Sequence, residues 1–150
     1  MAIAMSGLKN GNSPIWMQAA LTRMGIRPIS TIVDITNFIM RLTGQPLHAY
    51  DYDKLAKVSG GVPTLLARTA KEAEKLTLLS GKELTLGTEA VVIATDVNPI
   101  GLAGIMGGQN TEVDETTTRI VIEVANFDMY NIRRSTMKYG VFSDASTRFN

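Results

Sequence analysis

The sequence predicts an α+β domain. Two helical patterns come first, then six short runs of strand character, then a closing helix. Period-3.6 and period-2 segments are segregated along the chain, which favours α+β over a doubly wound parallel sheet. A length of 150 residues is enough for one domain with a sizeable core.

Met1 to Asn12 is small and Gly-rich and reads as a leader or disordered end, ahead of a globular part over residues 13–150. Ser13 is placed to cap a first helix, with Pro14 at its first position and Gly25 just past its end. Trp16, Ala20 and Met24 recur every four residues, and Ile15, Ala19 and Leu21 widen that apolar stripe. Thr31 and Asp34 have capping-box spacing. Ile32, Ile35, Ile39 and Leu42 then give a second amphipathic helix that Gly44 closes. Gln45-Pro46 begins an extended segment through Asp51.

After Gly60-Gly61 the period changes. Thr64–Thr69, Lys75–Leu79, Lys82–Leu86 and Ala90–Ala94 read as short strands, with Ser80-Gly81 as a hairpin turn. A turn over Asp96–Pro99 leads into Ile100–Met106 and Gly107-Gly108. Thr118–Ala125 has the strongest strand pattern, and a last helix runs from a cap at Asp128 to Gly140.

Composition excludes several functions. Fifteen Lys and Arg against fourteen Asp and Glu leave a formal charge of +1, without the positive excess of a broad nucleic-acid-binding face. With no Cys and one His there is no thiolate or multi-histidine metal chemistry, and the absence of Cys suits a cytoplasmic protein. No apolar run approaches the roughly 20 residues that cross a bilayer, and the first ten residues show no secretory signal. The eight Met residues read as core filler.

Few residues carry chemistry. In the strand over Thr118–Ala125, Glu123 lies between Val121 and Ala125 on one face. It is either an exposed Glu on a half-solvated strand or a carboxylate in a pocket that needs a hydrogen-bond donor. Gly101, Gly104, Gly107 and Gly108 suggest a close approach to the backbone, but lack both the dinucleotide fingerprint and the Lys-Ser/Thr ending of a phosphate loop. His48 has no Gly-x-Ser-x-Gly elbow beside it, so a serine triad is not indicated. Thr36 and Asn37 interrupt the second helix, as ordinary polar residues facing solvent, as residues bonding back to the preceding turn, or as part of a site. Asp51 and Asp53, followed by Lys54, read as a solvated turn. Arg133, Arg134 and Lys138 form a modest basic cluster that is either a solvated face or a contact to a few phosphates.

Five strings occur in order: Gly25-Ile26-Arg27-Pro28-Ile29-Ser30, Val33-Asp34-Ile35-Thr36-Asn37, Gly44-Gln45-Pro46-Leu47-His48-Ala49-Tyr50-Asp51, Leu102-Ala103-Gly104-Ile105-Met106-Gly107-Gly108, and Ser143-Asp144-Ala145-Ser146-x-Arg148-Phe149. Together they resemble the β subunit of bacterial phenylalanyl-tRNA synthetases, from about Ser13 to the C-terminus. The resemblance implies a tRNA-editing module formed by that subunit's third and fourth structural domains, a piece of a longer chain that continues after Asn150. The implied fold is a β-sandwich of unusual topology flanked by helices.

The implied activity is hydrolysis of tyrosine wrongly esterified to tRNA(Phe), because an apolar synthetic pocket is a weak filter against one added hydroxyl. Glu123 matches the carboxylate that accepts the tyrosyl phenol, assisted by backbone at Gly104. His48 matches the editing histidine, Thr36 and Asn37 the pair that positions water and ester, and Arg27 an arginine near them. Gly107 and Ala145 match small residues that keep the pocket open. Ser143, where the family often has Thr, joins the substrate-binding set, and Phe142 stands where a basic or polar residue is common. No strong general base stands out, so orientation of water and ester would carry catalysis. Editing needs no metal or other cofactor, whereas ATP and Mg serve the whole synthetase. The implied partners are the acylated 3′ end of tRNA(Phe) and the synthetase α subunit, in a heterotetramer with no membrane. The fragment would not aminoacylate by itself. Two alternatives stand beside this one: a non-catalytic scaffold or tRNA-positioning module of the same heterotetramer, and an unrelated β-sandwich that binds a small phenol.

Overall fold

Alternating strand residues and two clear helical segments translate into an α+β architecture with antiparallel sheets, as expected. The computed structural model describes residues 1–149. In chain order these form β1 (Ala2–Ser6), α1 (Ile15–Arg23), α2 (Thr31–Thr43), β2 (Leu47–Asp51), α3 (Tyr52–Val58), β3 (Leu66–Thr69), β4 (Glu74–Thr77), β5 (Glu83–Leu86), β6 (Val91–Ala94), β7 (Pro99–Leu102), β8 (Met106–Gly107), β9 (Arg119–Val124), α4 (Met129–Tyr139) and α5 (Asp144–Phe149). They divide into two units, Met1–Tyr52 with Val113–Ala125, and Asp53–Glu112 with the residues from Asn126 onward.

In the first unit β9 is the central strand of a three-stranded antiparallel sheet, flanked by β1 and β2. Residues opposite each other in such a pair share a face. Ala49, Ile120 and Ile122 therefore face one way and form a small core with Ile32 of α2. His48, Tyr50, Val121 and Glu123 face the other way. Residues 2–6 lie in the segment expected to be a leader or disordered end, yet they pair along the whole of β9, with Ala2 opposite Glu123. The alternation Ala2-Ile3-Ala4-Met5 suits an edge strand, and its partner supplies the unpaired backbone groups that recruit one.

In the second unit β3-β6-β7-β8 form a four-stranded sheet and β4-β5 a hairpin. Leu76, Leu84 and Leu86 from the hairpin share one core with Val92, Ala94 and Leu102 from the sheet and Ile132 from α4. The turn at Gly81 (φ 80°) closes the hairpin, as its Ser-Gly sequence indicates. Asp128 caps α4 by accepting from the Asn131 amide at 2.8 Å.

Several sequence expectations change. Ser13 does not cap α1. Its hydroxyl donates to Asp34, whose other carboxylate oxygen accepts from the Ile29 amide at 2.8 Å. Asp34 is 1% exposed, and its carboxyl group ties the connector before α2, in place of a Thr31–Asp34 box. The buried stripe of α1 is Met17 and Leu21, whereas Ile15 and Trp16 are exposed. On α2 the buried stripe is Ile32, Thr36 and Met40, and Leu42 is 74% exposed. Both helices carry apolar residues on more than one side, so periodicity did not single out the inward one. The methionines are not mainly core: Met17 and Met40 are buried, but Met1, Met5, Met24, Met129 and Met137 are exposed. Asp51 is buried and accepts from the Thr117 hydroxyl at 2.5 Å, and Asp53 is exposed in the first turn of α3, so the two stand on a strand and a helix, not in one solvated turn.

Gly104 (φ 67°) shows the tightest packing of the glycine-rich loop. A Cβ there would come 2.6 Å from Ile132 Cδ1 and 2.8 Å from Phe127 Cδ2. Gly81 has a similar φ but open space around it. Gly81→Ala should therefore cost only the backbone penalty of about 1–2 kcal/mol. Gly104→Ala should add an overpacking cost of about 1–3 kcal/mol. Urea unfolding of the two variants checks this, and equal losses would refute the packing role.

Candidate functional site

His48, Tyr50 and Glu123 meet on one face of the sheet in the first unit. Because β2 runs antiparallel to β9, His48 lies directly opposite Glu123, and Tyr50 lies opposite Val121. Tyr50 is thus diagonal to Glu123, within reach of a long side chain. Its phenol donates to Glu123 Oε2 at 2.5 Å. The His48 and Tyr50 rings, two residues apart on β2, meet edge to face with centroids 4.5 Å apart and planes at 78°. Tyr50 is 1% exposed, and His48 and Glu123 are half-buried. Glu123 Oε1 accepts no hydrogen bond among the described residues.

Burial sets the protonation of this cluster. It raises the Glu123 pKa above the usual carboxylate range, partly offset by the Tyr50 hydrogen bond and the Met1 ammonium. Burial also raises the Tyr50 phenol well above 10, reinforced by the charge of Glu123 and the hydrogen bond to it, so Tyr50 remains a donor. His48 retains some solvent contact, but the protein packed around its ring lowers its pKa to about 4. Near neutral pH the site therefore holds a neutral imidazole, not a cation paired with the carboxylate. It can orient a water or pass a proton, while the carboxylate accepts hydrogen bonds.

The remaining expected residues are more scattered. Thr36 is buried on α2, and its hydroxyl donates to the Val33 carbonyl at 2.8 Å, the back-bonding form that its place inside a helix allows. Asn37 follows it, half-buried. Neither is hydrogen-bonded to His48 or Glu123 among the described residues. Arg27 is exposed in the connector between α1 and α2.

Gly104, Gly107, Ser143 and Ala145 belong to the second unit. There Gly107 pairs with Gly101 across β8 and β7, and its carbonyl accepts from the Leu79 amide at 3.0 Å. The Ser143 side chain makes local hydrogen bonds. It donates to the Ile105 carbonyl at 2.6 Å and accepts from the Ser146 amide at 3.1 Å, capping α5. Ser146 returns the bond by accepting from the Ser143 amide at 3.0 Å. Ala145 is half-buried in the first turn of α5, and Phe142 is exposed. In the basic cluster of α4, Lys138 pairs with Glu89 at 2.5 Å, while Arg133 and Arg134 are exposed.

Tyr50 is the member of this cluster that the sequence alone does not single out. It lies inside one of the quoted motifs, but its partner is 73 positions away, and only the β2–β9 register joins them. A separate cleft of about 350 Å3 in the second unit is lined by Lys75, Thr77, Asn98, Gln109 and Asn110 with Leu76 and Pro99. Lys75 is its one titratable side chain, and none of the motif residues lines it. Among the described residues no cluster of three or more His, Cys, Asp or Glu could hold a metal ion, and no helix is long and apolar enough to cross a membrane.

His48 is the sole histidine in the sequence, so its ring protons can be assigned in a nuclear magnetic resonance titration without variants. The expected midpoint is near 4, against 6.5 for a free side chain. A folded pKa below the unfolded one means that the unfolded chain binds the proton more tightly. His48 should therefore remove stability as pH falls from about 6.5 toward 4, and His48→Gln should flatten that part of the profile. A midpoint near 6.5 would refute the burial described here.

Comparison with known proteins identifies the family of the chain. The family model described as the B3/4 domain matches residues 1–150, including the segment that forms β1. The chain is 48% identical over 149 residues to the phenylalanine–tRNA ligase β subunit of Carboxydothermus hydrogenoformans, covering 99% of this chain and 18% of that protein. The β subunit of Moorella thermoacetica matches at the same identity and coverage. The chain thus spans about a fifth of the length of these relatives. Among solved structures, an N-terminal fragment of the phenylalanyl-tRNA synthetase β subunit from Pyrococcus horikoshii aligns with a TM-score of 0.55 at 15% identity. That alignment covers 94% of this chain and 45% of that one, and it shows a shared fold. Because that family model matches the full 150 residues, the chain belongs to the B3/4 domain family.

Proposed function

We propose that this chain is the editing module of a phenylalanine–tRNA ligase β subunit and hydrolyses tyrosine esterified to tRNA(Phe). The observation that carries the reading is Glu123, a half-buried carboxylate on a strand face, hydrogen-bonded to one phenol through Oε2 with Oε1 left to accept another. A second donor of the same kind, the side chain of tyrosine, meets its need. Phenylalanine brings only a C–H edge and leaves the partly desolvated acceptor unpaired. That omission costs about 1–3 kcal/mol, or roughly 5- to 150-fold in discrimination. The same hydroxyl that a synthetic pocket rejects weakly becomes the feature that admits the substrate to a second site.

The chemistry of the cluster suits orientation more than strong base catalysis. With a pKa near 4, His48 is neutral at pH 7 and too weak a base to deprotonate water efficiently. It holds a water or passes a proton between water and the leaving ribose oxygen. The rate enhancement then comes mainly from fixing water and ester in reacting geometry. Aminoacylation, with its ATP and Mg2+, and assembly with an α subunit belong to the rest of the ligase in this reading, and so does the grip on the body of the tRNA.

The test is hydrolysis of preformed Tyr-tRNA(Phe) and Phe-tRNA(Phe) by the assembled ligase. Wild type should prefer the tyrosyl ester, and Glu123→Gln should reduce that preference by about 5- to 150-fold. Unchanged clearance in the variant would overturn the role of Glu123. Absence of hydrolysis in wild type would favour a scaffold that positions tRNA without editing.

A further inference from the structure

We infer that Tyr50 is a specificity-determining positioning residue, whose phenol fixes the Glu123 carboxylate so that its second oxygen selects the substrate's hydroxyl. The inference rests on the reading of Glu123 as a phenol acceptor and adds to it the group that makes the acceptor rigid.

A glutamate side chain has three rotatable bonds, so by itself it can follow a ligand or swing away from it. Selection by a single hydrogen bond needs the acceptor oxygen held in place beforehand, because an acceptor that relaxes into other contacts imposes no cost on the wrong ligand. Tyr50 supplies that restraint. Its hydroxyl holds Oε2 at 2.5 Å, and its ring is 1% exposed and packed edge-on against His48. A tyrosine has only two side-chain torsions, and the strand backbone on which Tyr50 stands is paired with β9. An ionised carboxylate has about four acceptor positions on its two oxygens, so a bond to Oε2 leaves Oε1 able to accept.

The same contact has a rival interpretation, in which Tyr50 imitates the substrate and must be displaced before a tyrosyl group binds. Burial argues against it. Moving a ring that is 1% exposed would open a cavity beside His48 and remove its edge-to-face contact. The phenol is therefore a permanent part of the acceptor.

Tyr50→Phe keeps the ring and removes only the hydroxyl. In the assembled ligase, the preference for Tyr-tRNA(Phe) over Phe-tRNA(Phe) hydrolysis should fall by about tenfold or more, the usual weight of a hydrogen bond to a charged group. Part of the change should be a rise in phenylalanyl hydrolysis, because an acceptor free to relax no longer penalises that ester. An unchanged ratio would mean that Tyr50 is only structural, and an increased ratio would mean that it competes with substrate. Either result overturns the inference. The two proposals fail separately: if Glu123→Gln abolishes the preference while Tyr50→Phe does not, the acceptor stands and the positioning role falls. A crystal structure of the wild-type ligase with a non-hydrolysable tyrosyl-adenosine amide gives a test independent of any variant. Tyr50 should remain on Oε2 with the ligand phenol on Oε1, and a displaced Tyr50 would overturn the inference.

Discussion

The antiparallel register between β2 and β9 is the constraint from which the rest of the site follows. It sets His48 against Glu123 and Tyr50 against Val121, so that an imidazole, a phenol and a carboxylate share one sheet face. A slip of one residue would send the paired side chains to opposite faces. The opposite face resists such a slip, because Ala49, Ile120 and Ile122 are packed against Ile32 of α2. The hydrophobic side of the sheet thereby fixes the geometry of its polar side. β1 completes the other edge of β9 and pairs its Ala2 with Glu123, which makes β9 a central strand. A polar side chain on a strand bonded along both edges moves less than one at a sheet margin.

Desolvation gives that geometry its chemical character. Water around a carboxylate would compete with any phenol, and a hydrogen bond formed there would contribute little. Half-burial removes part of that competition and raises the Glu123 pKa, while the bond from Tyr50 returns some of the lost stabilisation. Burial acts on His48 in the opposite sense, lowering its pKa to about 4 and leaving it uncharged. One environment thus explains both groups. The carboxylate needs hydrogen-bond donors, and the imidazole stays neutral, so no ion pair with His48 satisfies Glu123.

Sequence reading recovered elements whose determinants are local. The β4–β5 hairpin, the Asp128 cap and the glycine ends of α2 and α4 follow from turn and cap chemistry within a few residues. The order of strands and the α+β class followed from period changes along the chain. The buried sides of α1 and α2 were assigned to the wrong residues, because Trp16, Ile35 and Leu42 are as apolar as the residues that are buried. The spacing of Asp34 suits a cap, but the residue serves Ser13 and Ile29, a choice between two local hydrogen-bond patterns that composition does not decide. α5 was missed although Ser143 and Ser146 have reciprocal capping spacing. At the site, alternation on β9 marked Glu123 as unusual, and the family motifs marked His48. The bond from Tyr50 needs a strand pairing across 73 positions, which no local pattern encodes.

Glu123 as a phenol acceptor is open to a binding experiment that needs no turnover. Isothermal titration of the assembled ligase with tyrosyl- and phenylalanyl-adenosine joined by a non-hydrolysable 3′-amide compares the two side chains at this site. The tyrosyl compound should bind at least about fivefold more tightly, the low end for satisfying a partly desolvated acceptor, and Glu123→Gln should abolish the difference. Equal affinities in wild type, or a tyrosyl preference that survives in Glu123→Gln, would contradict the role assigned to this carboxylate.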